Sequence, residues 1–367
     1  MMDEKMLRVK NRVLVYAFAV IMLSLFVLLC VNGEKEYSEA ERRPLASLPT
    51  LTYKDAMSGD FFDDFEEYAL DQFICRDSMR TVKAAGVRLL GIRDNNKLYF
   101  YRDGIYKIEK INEESIVKCG EKIESIAKEY NGNVYYSVIP DKNSLIGEQS
   151  GRPYIDNNTV SELLKTQVIS AEYIDIARLL TVENYYRTDL HWKQETILPV
   201  ADELLNAMGK DHDVMQDSFS SQAIQGFCGV YYGQAALPCK SDEMIYLRSD
   251  LLDQATATTL PTGKRIEIYD QTAFDSMDPY NLYLGGPEAI IKVDNPLAPE
   301  NKKLYLFRDS FGSSIAPLLI GGYSEVYLID LRYVPSQYLD NFISFEEGND
   351  MLFLYSYHIL NESNLLR

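Results

Sequence analysis

Cysteine, histidine and tryptophan are scarce in this chain: its 367 residues include five, three and one of them. Five scattered cysteines make no disulfide framework, although Cys228 and Cys239 stand close enough in sequence to be a candidate pair. No two cysteines show a C-x-x-C metal spacing, and His212 in "KDHDV" has only Asp211 and Asp213 beside it, so neither a metal nor a cofactor is expected. Positive charge is also short. The formal net charge is -18 with no basic groove in view, which excludes nucleic acid, because phosphate binding depends on Lys and Arg. Internal repeats and low-complexity tracts are absent. What remains, 46% apolar and 25% charged residues, is the composition of a globular chain long enough to bury a large core.

The one long uncharged run is "VLVYAFAVIMLSLFVLLCV", Val13 to Val31, close to the ~20 residues a helix needs to cross a bilayer. Lys5, Arg8, Lys10 and Arg12 precede it and "NGEKEYSEAE" follows, so residues 1–12 are expected in the cytoplasm, 13–31 as a single-pass anchor and the rest outside. A cleaved signal peptide is the alternative. The run exceeds a usual signal core, however, and no small-x-small site closes it. Residues 32–57, with Pro44 and Pro49, read as a stalk, and 58–367 as an extracytoplasmic domain.

Within that domain, 58–92 has apolar residues at helical spacing, and 94–110 alternates around "RDG" like a hairpin. Helices are expected near 112–130, 158–169 and over "KQETILPVADELLNAM", with strands at "NVYYSVIP" and "EYIDIARLL". A less regular insertion at about 211–300 contains strand-like "EMIYLR" and "KRIEIYD". The alternation then returns with "KKLYLF", a helix from "RDSFGSSIAPLLI", "EVYLID" and "MLFLYSY". Short apolar strands alternating with helices predict an α/β fold whose mostly parallel sheet is covered on both faces.

Ligands of such sheets collect beyond the carboxyl ends of the strands, where Ser310 falls. A serine at a helix start can present its hydroxyl while its own N–H faces developing negative charge, as acyl transfer requires. Asp309 or Ser310 could equally be a helix cap. Asp189 and His191, two residues apart in "RTDLHW", project from one face if extended and could supply the acid and base that a nucleophilic serine needs. The plainer reading makes Thr188 or Asp189 a cap and Trp192 core filler. His358, after a terminal strand, reads as a buried structural histidine.

The stretch "YYRTDLHWKQE" resembles the hallmark of the DHHW proteins, with Leu190 in place of the first histidine of that name. "ERRPLASLPTL", "FEEYALDQFICRD", "VIPDKNSLI", "YLGGPEAIIKVDNP" and "RDSFGSSIAPLLIGGYSEVYLIDLRY" agree with it, in order, over nearly all of the chain after the anchor. The family resembles the SGNH-hydrolase-like domain of the bacterial alginate O-acetylation proteins. That resemblance implies an SGNH-like three-layer sandwich in permuted order. Its triad is carried over as Asp189 the acid, His191 the base and Ser310 the nucleophile. The Ser310 N–H would serve an oxyanion hole, joined by a backbone N–H near Gly285 or Gly286. Tyr283, Arg308 and Trp192 are candidate substrate contacts.

The expected function is that of a membrane-anchored, extracytoplasmic acyltransferase or esterase acting on a cell-envelope polysaccharide, through O-acetyl transfer. Its partners would be the glycan and, as acetyl donor, a multi-pass membrane acyltransferase. The competing expectation is a non-catalytic glycan-binding or scaffolding protein, in which Ser310, His191 and Asp189 would not reach one another.

Overall fold

The computed structural model describes residues 4–31, 33–298 and 300–367. The first three residues of the expected tail, and Asn32 at the head of the expected stalk, lie outside the described residues. Two compact units divide between Arg93 and Asp94, not at residue 58 where the extracytoplasmic domain was read to begin.

In the first unit, helix α1 (Glu4–Val31) contains neither Pro nor Gly and is 28 residues long, about 42 Å at the α-helical rise. Its stretch Met6–Leu29 is long and apolar enough to cross a membrane, and none of its most apolar window is buried. The run at 58–92 is two helices, Asp60–Asp71 and Arg76–Leu89, broken where Cys75 takes a left-handed φ of 54°. The segment expected as a stalk is instead tied to these helices. Arg43 grips the Asp71 carboxylate with two N–H groups at 2.8 and 2.6 Å, while Glu41 bridges Arg76 and Arg80. Burial opposes ionisation of Asp71, but Arg43 and the Ala46 N–H outweigh it and hold the carboxyl below its usual range. Two prolines in a polar stretch read as a linker, whereas Glu41 and Arg43 are paired with the helices.

The second unit is built on an eight-stranded sheet. Its strands are β1 (Asn133–Ile139), β2 (Glu172–Tyr173), β3 (Thr256–Thr259), β4 (Lys264–Ile266), β5 (Ile290–Asp294), β6 (Lys303–Arg308), β7 (Glu325–Ile329) and β8 (Asp350–Ser356). They lie in the order β4-β3-β5-β7-β6-β8-β1-β2. The five from β7 to β2 are parallel, and β5, β3 and β4 add an antiparallel edge. Strands such as "KLYLFR" and "DMLFLYS" read as continuous apolar runs because both of their faces are buried. Leu304 and Leu306 enter one core, while Tyr305 and Phe307 enter the other.

Helices α2 (Glu113–Ala127) and α3 (Asn157–Gln167), capped by Asn112 and Asp156, close the second core. Helices α4 (Leu198–Ala207) and α5 (Ser310–Leu319) close the first through Val200, Leu204, Phe311 and Ile315. The result is the three-layer α/β arrangement expected from the alternation. Residues 211–300 are less of an insertion than they read, since they supply β3, β4 and β5 of the main sheet. Their sequences "TATT" and "KRI" carry too little apolar signal to announce it. "EYIDIARLL" forms only the two-residue β2 before turning into a short 3₁₀ segment.

Candidate functional site

Strand β6 ends at Arg308 and α5 begins at Ser310. Capping falls to Asp309, whose carboxylate accepts the Phe311 N–H at 2.9 Å and the Ser356 N–H of β8 at 2.8 Å. The Ser310 hydroxyl is therefore released from that duty and lies half-buried at the carboxyl edge of the parallel strands.

His191 meets it there. His191 Nε2 lies 2.8 Å from Ser310 Oγ, and His191 Nδ1 lies 2.6 Å from Asp189 Oδ1. An ionised carboxylate only accepts, so this contact puts the imidazole proton on Nδ1 and turns the Nε2 lone pair toward the serine. Asp189 is fully buried, and His191 is 6% exposed. Asp189 Oδ1 also accepts the His191 backbone N–H at 3.0 Å, and Oδ2 accepts the Val230 N–H at 2.8 Å.

The "YYRTDLHW" segment forms a tight loop rather than a helix start. Tyr185 bridges Trp192, and the Tyr186 N–H donates to the His191 carbonyl at 3.1 Å. Three distant segments hold this loop. The buried Lys142 ammonium donates to the carbonyls of Tyr186, Arg187 and Asp189 at 2.9, 3.2 and 2.6 Å, and burial pulls its pKa down to about 8. Asp242 accepts from the Arg187 and Thr188 N–H groups at 3.0 and 2.8 Å. Gly229 donates to Thr188 Oγ1 at 3.0 Å and packs so closely that a Cβ there would lie 2.2 Å from Asp189 Cβ.

Tyr280 forms one wall of the site. Its ring stacks on the His191 imidazole at 3.8 Å between centroids and 9° between planes. Its hydroxyl donates to Ser314 Oγ at 2.7 Å, which also accepts Trp192 Nε1–H at 2.8 Å. Burial keeps the Tyr280 phenol neutral by raising its pKa well above 10. Gln194 extends the network, with its Nε2 donating to the Ser314 carbonyl at 2.8 Å and to Tyr269 Oη at 3.1 Å. Tyr269 in turn lines a cavity of about 390 Å³ with Tyr246, Arg248 and Arg265.

The other sequence candidates fall elsewhere. Trp192 is fully buried, edge-on to Phe311, and fixes the loop to α5. Tyr283 is fully buried behind Tyr280, with its hydroxyl directed to the Ile245 carbonyl. Arg308 is 1% exposed, 3.5 Å from Asp330, and its Nε and Nη2 meet no partner among the described residues. None of these three is a surface on which a substrate can lie. Gly286 donates its N–H to the Tyr283 carbonyl, and no hydrogen bond among the described residues joins Gly285 or Gly286 to Ser310. The positive φ values at both mark a turn. The Ser310 N–H, in the open first turn of α5, is the donor best placed to serve an oxyanion hole.

His212 pairs with Asp217 at 3.1 Å. His358 pairs with Glu109 at 3.1 Å; burial opposes ionisation of that carboxyl, yet the His358 contact holds it down to about 2. No group of His, Cys, Asp and Glu among the described residues could hold a metal ion.

Tyr280, Lys142, Gly229 and Asp242 were not singled out from the sequence. A buried lysine and a lone glycine carry no local signal of their roles. Tyr280 lies three residues before Tyr283 and carries no local signal that sets it apart.

Comparison with known proteins agrees with this architecture. The structure of a DHHW family protein from Eubacterium siraeum matches with a TM-score of 0.58 and 17% identity, over 74% of this chain and 94% of that one. PatB1 of Bacillus cereus matches with a TM-score of 0.58 and 17% identity, over 73% of this chain and 98% of that one. PatB1 with a sulfonyl adduct gives 0.56 and 17%, over 72% and 95%. At such identity the likeness is one of fold. No curated protein matches the chain. Residues 173–329, which include Asp189, His191 and Ser310, match the family described as DHHW protein, and the resemblance to that family is thereby shown.

Proposed function

We propose that the protein is a membrane-anchored, extracytoplasmic serine acyltransferase or esterase that moves an acetyl group onto or off a cell-envelope polysaccharide. The observation that carries this reading is the continuous chain Ser310–His191–Asp189, with contacts of 2.8 and 2.6 Å and the far carboxylate oxygen pinned by Val230. A scaffold that merely held a glycan would have no need to orient an imidazole against a helix-starting serine, so these distances count against the non-catalytic alternative.

In the reaction, His191 Nε2 takes the Ser310 proton as Oγ bonds to the acyl carbonyl carbon, and the resulting oxyanion faces the Ser310 N–H. Collapse breaks the bond to the leaving oxygen, which takes the proton back from the imidazolium. An acyl-serine remains. His191 next deprotonates a sugar hydroxyl or water, whose oxygen attacks the acyl carbon and returns Ser310 to its starting state. Asp189 keeps the imidazole in the required tautomer throughout. Transfer and hydrolysis use the same groups and differ in how well the bound acceptor excludes water.

Basic residues before the apolar run and acidic ones after it support outward placement of the domain. An extracytoplasmic transferase needs its acetyl group delivered across the membrane, which a multi-pass membrane acyltransferase would do.

Intact-mass spectrometry after exposure to an activated acetyl ester, on the parent and on Ser310→Ala, tests this reading. One added acetyl group on the parent alone supports it. Absence of both adduct and ester turnover would move the assignment to glycan binding. A sulfonyl fluoride should likewise label the parent and spare the variant.

A further inference from the structure

Cys228 and Cys239 bracket the segment that holds the acid of the triad. The hairpin Ser220–Phe227/Asp242–Arg248 closes its ladder at the Phe227–Asp242 pair. Cys228 follows at once on one strand, and Cys239 stands three residues before the other. Between them, Gly229 and Val230 donate to Thr188 Oγ1 and Asp189 Oδ2 at 3.0 and 2.8 Å, and the Tyr232 N–H donates to the Thr188 carbonyl at 3.1 Å. Tyr231 and Ala235 pack this segment against Leu98 and Ile105, and the Asn96 amide donates to the Gln234 carbonyl. Its one helix, Val230–Ala235, is six residues long and ends at Ala236 in the left-handed region.

Both cysteines are half-buried thiols, set on the two arms of the loop that the Phe227–Asp242 pair closes. Burial raises the Cys239 thiol first, and the next contribution comes from Cys228. Cys119, by contrast, is wholly buried on the inner face of α2.

We infer that Cys228 and Cys239 form a redox site, joined as a disulfide in an oxidising compartment, which closes the loop carrying the Asp189 hydrogen-bond donor. Its use in the cell rests on the outward topology proposed above. In the exchange, one thiolate attacks the disulfide of a thiol-disulfide oxidant and expels one thiolate of that oxidant, leaving a mixed disulfide. The second cysteine thiolate displaces the other. One S–S bond is formed and one is broken; the pair loses two protons and two electrons, and the oxidant is reduced to two thiols. The closed loop fixes Gly229 and Val230 against Thr188 and Asp189.

The experiment equilibrates the purified full chain in detergent with oxidised and reduced glutathione, traps thiols with an alkylating reagent and maps the peptides by mass spectrometry. A peptide pair linked through Cys228 and Cys239, released by dithiothreitol, is the expected result. Reduction should also lower Tm by roughly 5–10 °C. In Cys228→Ser, Cys239 should carry glutathione instead, and the Tm of that variant shows that it is folded. Independent alkylation of both cysteines, or a glutathione on each in the parent, would overturn the inference. Trapping in intact cells separates it from the topology: a pair reduced in cells but linked in vitro supports the site and counts against outward placement.

Discussion

Replacing Gly229 with alanine puts a methyl group 2.2 Å from Asp189 Cβ, 2.5 Å from its Oδ2 and 2.6 Å from its Cα. Ordinary carbon contacts begin near 3.5 Å, so the two segments must part by about 1 Å. Gly229 has φ of -75°, which alanine adopts without strain, and the whole effect is therefore the collision. The moved atoms are those that orient His191. Misplacement of about 1 Å at a reacting centre costs on the order of 10²-fold in rate, and outright loss of the acid about 10⁴-fold. Gly229→Ala should thus acylate Ser310 between about 10² and 10⁴ times more slowly, with a stability loss of about 1–3 kcal/mol from overpacking. The assay is release of the phenolate from an activated aryl acetate, with Tm measured alongside. Gly86→Ala is the control: a Cβ there meets nothing within 4 Å, and the helix should gain up to about 1 kcal/mol with the rate unchanged. A folded Gly229→Ala protein that acylates at the parent rate would refute the idea that this loop sets the position of Asp189.

Three further outcomes follow from the same geometry. Asp189→Asn should remain folded yet lose about 10⁴-fold in acylation, because an amide that donates to Nδ1 forces the wrong tautomer; a loss under tenfold, read with the same ester, would remove Asp189 from the mechanism. Tyr280→Phe keeps the stacked ring and should cost about 1 kcal/mol of stability through the lost bond to Ser314, with little change in rate, whereas Tyr280→Leu removes the wall against His191 and should slow acylation by more than tenfold; equal rates for the two would show that the stack is idle. Burial raises the Glu195 carboxyl to about 6, so the folded state holds its proton where the unfolded chain has released it, and stability falls as pH rises from about 4.5 to 6. Discounted for its partial exposure, the effect is about 1 kcal/mol above pH 6, and Glu195→Gln should raise Tm at pH 8 and leave it unchanged near pH 4.

That Asp189, His191 and Ser310 come together was legible because two of them share one short motif and the third sits where a buried apolar strand gives way to a helix. The sheet was legible for the same reason: "KLYLFR" and "DMLFLYS" each hold an unbroken apolar run, Leu304–Phe307 and Met351–Tyr355. What stayed hidden is whatever depends on which face a loop residue presents. Tyr280 and Tyr283 share the stretch "DPYNLY", and a 3₁₀ turn over Pro279–Leu282 puts the first against His191 and the second behind it. Lys142 was hidden because lysine is almost never fully buried. Here three carbonyls and the faces of Tyr106 and Tyr231 receive its ammonium. The antiparallel edge was hidden because threonine-rich β3 pairs through its backbone without an apolar signature.

The two halves of the site are held by different means. Ser310 is positioned by the sheet itself, through Asp309, which ties the start of α5 to β8. Asp189 and His191 ride on a loop whose shape comes from Lys142, Gly229 with Val230, and Asp242, three segments that meet only in the folded chain. Lys142 and Asp242 act on that loop mainly through its backbone carbonyls and N–H groups, so they govern where the base stands without touching a reacting atom. A chain with Ser310 intact and this loop displaced would keep its sheet and the Ser310 hydroxyl but lose the imidazole contact to it. Since Val230, the Asp189 donor, lies between Cys228 and Cys239, the redox pair inferred above would act on the Asp189–His191 half of the site while the fold stays in place.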